Sequence, residues 1–120
     1  MNNENLKSRT KQFALRIIKL VENLPRDTVS SVIGRQLLRA GTSVGANYRA
    51  ACRSKSAADF ISKMGTVEEE ADESAYWMEL LVEADKISLA KISALLQEAN
   101  ELTAIAVSSI NTARKSSKRR

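Results

Sequence analysis

Apolar residues return every three or four positions through four long stretches of this 120-residue chain, and the rhythm breaks in only three places. That spacing places side chains on one stripe of a helix. The first stretch runs from about Asn5 to Glu22, with Leu6, Phe13, Ile17 and Leu20 leading to Leu24. Leu24-Pro25-Arg26-Asp27 ends it, because proline disfavours helix at the residue before it, and Asp27 or Thr28 can cap the next helix. Helix two is expected from about Thr28 to Ala51, on the stripe Val29, Ile33, Leu37, Ala40 and Val44. After Arg53-Ser54-Lys55-Ser56, helix three runs to about Ala84 on Phe60, Met64, Val67, Ala71, Met78 and Leu81, with Ser74 in the same row. Helix four runs from about Leu89 to Arg114 on Ile92, Leu95, Ala99, Leu102, Ala106 and Ile110. The polar, basic end from Arg114 to Arg120 is expected to fray.

Short connections make sequential helices antiparallel neighbours. The expected fold is therefore all-α, an antiparallel up-down-up-down four-helix bundle forming a single domain over residues 1–120. One proline and four glycines are too little punctuation for an all-β alternative. The core must be largely aliphatic, since Phe13, Tyr48, Phe60, Tyr76 and Trp77 are the only aromatics.

Gly34, Gly41 and Gly45 are spaced seven and four apart and so share one face of helix two. Each glycine costs about 1 kcal/mol in a helix interior. Three on one face imply either close approach of a neighbouring helix or a local kink near Gly41-Thr42-Ser43. If the second connection turns near Ser54, residues level with one another in helices two and three have numbers summing to about 108. Arg39 then faces Glu68 or Glu69, and Arg35 faces Asp72 or Glu73. Gly65 falls level with Ser43, which places Gly41, Gly45 and Gly65 at one close crossing.

The formal charge is +5, unevenly distributed: +3 over residues 1–22, +5 over 23–55, −7 over 56–86 and +4 over 87–120. Part of this pattern is neutralisation between helices, and the surplus suits an anionic partner, nucleic acid first. An antiparallel bundle gathers Lys7, Arg9, Lys11, Arg49, Arg53, Lys55, Arg114 and Lys115 toward one pole, where they can bind phosphates. The alternative is a solubilising surface with cations complementing helix C-termini. No aromatic platform accompanies these charges, which argues against base-specific single-strand readout.

Nothing in the chain makes an enzyme persuasive. It has no histidine, which removes Ser-His and Cys-His pairs and histidine metal sites. Glu68-Glu69-Glu70 with Asp72 and Glu73 lacks the Glu-x-x-His partners of bundle di-metal sites and reads as a paired or solvated face. Gly41-Thr42-Ser43-Val44-Gly45 lacks the Gly-Lys-Ser/Thr ending and preceding strand of a phosphate loop. No cofactor is expected. Cys52 is alone and forms no internal disulfide, although Arg49, Arg53 and Lys55 can make it reactive. Met1–Leu20 has no continuous apolar h-region, and no apolar run approaches the ~18 residues of a membrane span. A reducing cytoplasm fits best.

The segments QLLRAGTSVGANYRAA, KSAADFISKM and EEEADESAYWMELL, with Phe13-Ala14 through Leu24-Pro25, resemble the bacterial four-helix-bundle proteins called 23S ribosomal RNA intervening-sequence proteins. The likeness spans about Lys11 to Ala113. It implies a non-catalytic ring-forming homopentamer that binds or scaffolds nucleic acid. The chain is also similar to the accessory variability determinant of diversity-generating retroelements, a basic barrel, which implies a possible protein partner such as a reverse transcriptase. Many members carry a glutamate where this chain has Ala50 or Ala51, which leaves Arg49's role open. A protein-interaction module without nucleic-acid activity is the alternative. In the light of the resemblance, Arg39, Ser43, Asn47, Glu70 and Ser74 are expected in a buried hydrogen-bonded network or a subunit contact.

Overall fold

The computed structural model describes residues 3–118 as four helices: α1 (Asn3–Glu22), α2 (Thr28–Ala51), α3 (Ala57–Glu83) and α4 (Leu89–Lys118). They form a rod of 53 × 22 × 19 Å. α1 packs on α2, α2 on α3 and α3 on α4, while α1 meets α4 more lightly. Among the described residues the diagonal pairs do not meet. This is the expected bundle of sequential antiparallel neighbours.

The helix starts follow local chemistry. Asp27 caps α2 by accepting from the Ser30 N–H at 2.8 Å, and Ser56 caps α3 by accepting from the Asp59 N–H at 3.0 Å. The end of α3 closes with the Lys86 N–H donating to the Leu81 carbonyl and the Asp85 N–H to the Val82 carbonyl. Asp85 adopts φ 59°, the left-handed residue such a stop requires. Asp27 also accepts from Lys86 Nζ at 3.4 Å, linking the two connections at that end. At the opposite end α4 continues to Lys118, past the point where fraying is expected. Arg119 and Arg120, which complete that tail, lie outside the described residues.

The core is the expected set of stripes with adjustments: Leu20, Leu24 and Ile33 are only partly buried against it. All six α4 stripe residues are buried. So are Phe13 and Ile17 of α1, Leu37, Ala40 and Val44 of α2, and Met64, Val67, Ala71, Met78 and Leu81 of α3. Phe60 is only partly buried, packed against the edge of the core. Val29 is 46% exposed, because the first turn of α2 turns Ser30 inward, at 1% exposure, and leaves Val29 on the outer side. Tyr48, Ala51 and Ala75 join the core instead. Buried polar groups are satisfied locally: Thr10 Oγ1 donates to the Leu6 carbonyl at 2.8 Å and Ser74 Oγ to the Glu70 carbonyl at 2.8 Å. Among the described residues no fully buried side-chain nitrogen or oxygen lacks a partner.

The glycine face of α2 is explained by close approach rather than by a kink, and the helix that approaches is α1. A Cβ on Gly34 would meet Leu24 Cδ1 at 3.1 Å, one on Gly41 would meet Ile17 Cγ1 at 2.8 Å, and one on Gly45 would meet Thr10 Oγ1 at 3.2 Å. Gly65 does not join them: a Cβ there would meet nothing within 4 Å. Counting residues from the turn aligns levels along two helices. It ignores the ~100° rotation per residue that sets which flank a residue occupies. Gly65 falls on the flank of α3 that faces α4, where it lines a cleft with Val107 and Ile110.

These environments give opposite expectations for one substitution. Gly41→Ala forces a methyl against the β-branched Ile17, whose Cβ is itself only 3.1 Å away, so overpacking of about 1–3 kcal/mol exceeds the ~1 kcal/mol gain in helix propensity. Gly65→Ala gains propensity with no clash and is expected to stabilise by about 0.5–1 kcal/mol. Urea denaturation of the two variants checks both signs.

Candidate nucleic-acid interface

The cationic residues expected at one pole occupy the same end of the rod but divide among its faces. α1 and α2 bound a groove of about 570 Å³ lined by Lys7, Lys11 and Arg49, with Thr42, Gly45 and Ala46 along its floor and wall; no acidic residue among the described residues lines it. The groove exists because Gly45 and Ala46 present almost no side chain where α1 crosses. Thr42 Oγ1 donates to the Leu38 carbonyl at 2.7 Å, so its proton is already used. Arg53 and Lys55 follow, exposed, in the connection after α2.

Arg9 does not belong to this group. Two residues from Lys7 along α1, it points toward α4, where Nε donates to Glu98 Oε2 at 2.7 Å and Nη2 to Glu98 Oε1 at 2.7 Å and to Glu101 Oε1 at 3.0 Å. This bidentate geometry holds the guanidinium proton above its usual range and the Glu98 carboxyl below the ordinary glutamate value, chiefly through the hydrogen bonds of the pair. Arg114 is also separated from the groove. It lines a cleft of about 360 Å³ between α3 and α4, beside Glu68, Glu69 and Gly65, on the far side of the bundle. Lys115 is exposed in the last turn of α4.

The polar residues expected in a network meet only in part. Arg39 donates to Glu70 at 3.2 Å and pairs with Glu73, tying α2 to α3. Glu73 also accepts from Trp77 Nε1 at 3.0 Å. Ser43, Asn47 and Ser74 instead donate to carbonyls of their own helices, those of Arg39, Ser43 and Glu70. The expected partners Glu68 and Glu69 are turned toward α4, and Arg35 bonds back to Ser31. Level counting reaches the right turn of α3 and misses the flank. Two contacts escaped sequence reasoning. Trp77 sits four residues after Glu73, a spacing that signals a same-face pair. Arg9 with Glu98 has no local signal, since 89 residues separate them.

Among the described residues no group of three or more His, Cys, Asp or Glu is placed to hold a metal ion. No helix among them is long and apolar enough to cross a membrane. Cys52 is half-buried at the end of α2.

A family model described as 23S rRNA-intervening sequence protein matches residues 3–108. A 1.70 Å crystal structure from Bacteroides thetaiotaomicron, of a protein with unknown function from the S23 ribosomal protein family, is 34% identical over 92% of this chain and 99% of that one, with a TM-score of 0.85. No curated protein matches the chain.

The Arg9–Glu98 pair makes a pH-dependent contribution with a defined sign. The native Glu98 pKa lies below its ordinary 4.5, so the stabilisation is fully present above that value and is lost as pH falls through the native one. Arg9→Met is expected to destabilise by on the order of 1 kcal/mol at neutral pH. The gap from wild type should narrow below pH 4.5. Thermal melts from neutral pH into that acid window measure it; a gap that is constant with pH would contradict the assignment.

Proposed function

This chain belongs to the 23S rRNA-intervening sequence protein family, and from that footing we propose that it is a non-enzymatic, homo-oligomeric protein of the cytoplasm that binds nucleic acid through backbone phosphates. The observation that carries the reading is the groove between α1 and α2, where Lys7, Lys11 and Arg49 converge. Phosphate contacts supply most of the sequence-independent affinity of nucleic-acid binders. The net charge of +5 adds long-range attraction.

Assembly rests on the family resemblance; Leu15, Val32, Tyr76 and Leu89, one on each helix, are each about half exposed and offer apolar contacts. The copy number of five rests on family resemblance. The same exposed side chains favour a second reading, a protein-interaction scaffold whose basic end docks an acidic partner.

A gel-shift series on RNA and DNA at rising salt separates the two. Backbone binding predicts affinity falling by about three orders of magnitude or more between 50 and 200 mM salt if six or more phosphates are contacted across an oligomer. Absence of binding to either nucleic acid at low salt would sink the proposal. Light scattering at micromolar concentration is expected to report a mass several times 13.2 kDa; a monomer would remove the ring.

A further inference from the structure

We propose that the outward stripe of α3 around Tyr76 is a docking face for a protein partner, and that the partner presents a lysine- or arginine-bearing amphipathic helix to it. The inference does not depend on nucleic-acid binding and concerns the helix diagonal to α1.

Glu69, Asp72, Tyr76, Glu79 and Glu83 recur at spacings of three, four, three and four, and all five are exposed. They therefore share one face of α3, turned away from the buried stripe that runs from Met64 to Leu81. The stripe is about 21 Å long, with the spacing at which one helix packs along another. Tyr76 is 52% exposed at its centre. Its ring meets the Trp77 ring edge-on at 5.0 Å, and Trp77 is held in turn by Nε1 donating to Glu73 at 3.0 Å. Braced aromatic anchors among polar groups carry much of the energy of protein interfaces.

The charge of this stripe is unanswered within the chain. Arg39 pairs with Glu70 and Glu73, and Lys63 with Asp59. Among the described residues the carboxylates of Glu69, Asp72, Glu79 and Glu83 have no ion-pair or hydrogen-bond partner. Glu79 and Glu83 repel one another four residues apart, near the helix end where the dipole disfavours carboxylates. The last turn of α3 holds no cation to offset them, and Lys86, just beyond it, donates to Asp27. Local conflicts of this kind concentrate at functional surfaces. Cations on a partner relieve both penalties, which selects a basic partner.

Toward the other end of the stripe, Gly65 and Glu69 border the cleft of about 360 Å³ that Ile61, Val107 and Ile110 line with apolar surface. A Cβ on Gly65 would meet nothing within 4 Å, so the cleft is open there to an aliphatic side chain of the partner. Arg114 also lines the cleft and offsets part of its negative charge, which leaves Asp72, Glu79 and Glu83 as the stronger cation sites. A second copy of this chain fits the stripe less well. The outward stripe of α1 offers Lys11, Leu15 and Lys19 and then Glu22, two cations and a carboxylate for four carboxylates.

Two fluorescent, alanine-rich helical peptides of identical composition test the face by anisotropy. In one, lysines and a leucine follow the three-four spacing; in the other, the same residues are scattered around the helix. The striped peptide is expected to bind the wild-type protein about tenfold more tightly than the scattered one. Tyr76→Ala, and Glu79→Gln combined with Glu83→Gln, should each weaken that binding by about tenfold. Glu22→Gln, which removes a charge from the exposed face of α1, should change it by less than about twofold. Circular dichroism confirms the helical fold of each variant. The double glutamine variant is also expected to melt at a higher temperature than wild type, because it removes the repulsion near the end of α3.

Equal binding of the two peptides would overturn the docking face, as would undiminished binding by Tyr76→Ala or by the double glutamine variant in a folded protein. An oligomer that loses mass on the double substitution while the striped peptide fails to bind wild type would overturn the partner and assign the face to a second copy. Neither outcome bears on nucleic-acid binding, which the gel-shift series tests separately.

Discussion

The contact between α1 and the glycine face of α2 is the constraint on which the other features depend. Gly34, Gly41 and Gly45 let α1 settle so closely that Leu24, Ile17 and Thr10 occupy the space a side chain would take. That approach has two consequences. It buries Thr10, whose hydroxyl is satisfied within its own turn, and it fixes the rotation of α1. With the rotation set, Lys7 and Lys11 border the α2 side while Arg9 is carried to the α4 side. The same helix thus contributes cations to a groove and a clamp to a distant carboxylate.

That division reorganises the charge pattern. The acidic segment of α3 is only partly the partner of the basic segment before it, through Arg39 with Glu70 and Glu73. Of its other carboxylates, Glu68 and Glu69 line a cleft against α4 together with Arg114. α1 and α4 approach lightly, and Arg9 with Glu98 and Glu101 is an ionic tie across that seam. A partly buried bidentate pair holds geometry well and adds modest stability. Lys7, Lys11 and Arg49 line the α1–α2 groove, and Arg53 and Lys55 follow in the exposed part of the connection after α2.

Much of the fold was legible before any coordinates. The α4 stripe from Ile92 to Ile110 is a local property that the structure contains as read, and of the two cap candidates at the start of α2 it uses Asp27. The likeness to the intervening-sequence family agrees with the family match over residues 3–108. The errors share one cause. Placing Gly65 between Gly41 and Gly45, or Arg39 opposite Glu68, needs the angle of each helix about its own axis. A residue count along two helices supplies only the level. The Arg9 misassignment is of the same kind. Lys7, Arg9 and Lys11 look equivalent in a row, yet each step of two residues turns some 200° about the helix axis.

By itself, the sequence determined the number of helices, their order and boundaries, the buried stripe of each and the excess of cations near one end. These follow from periodicity, capping and charge, which act between residues close along the chain. Only the tertiary structure decided which helix fills the glycine face, which arginine is neutralised and which cations remain together in an open groove. Those outcomes depend on side chains far apart in sequence meeting at a particular rotation, and packing against the glycines of α2 sets that rotation for α1.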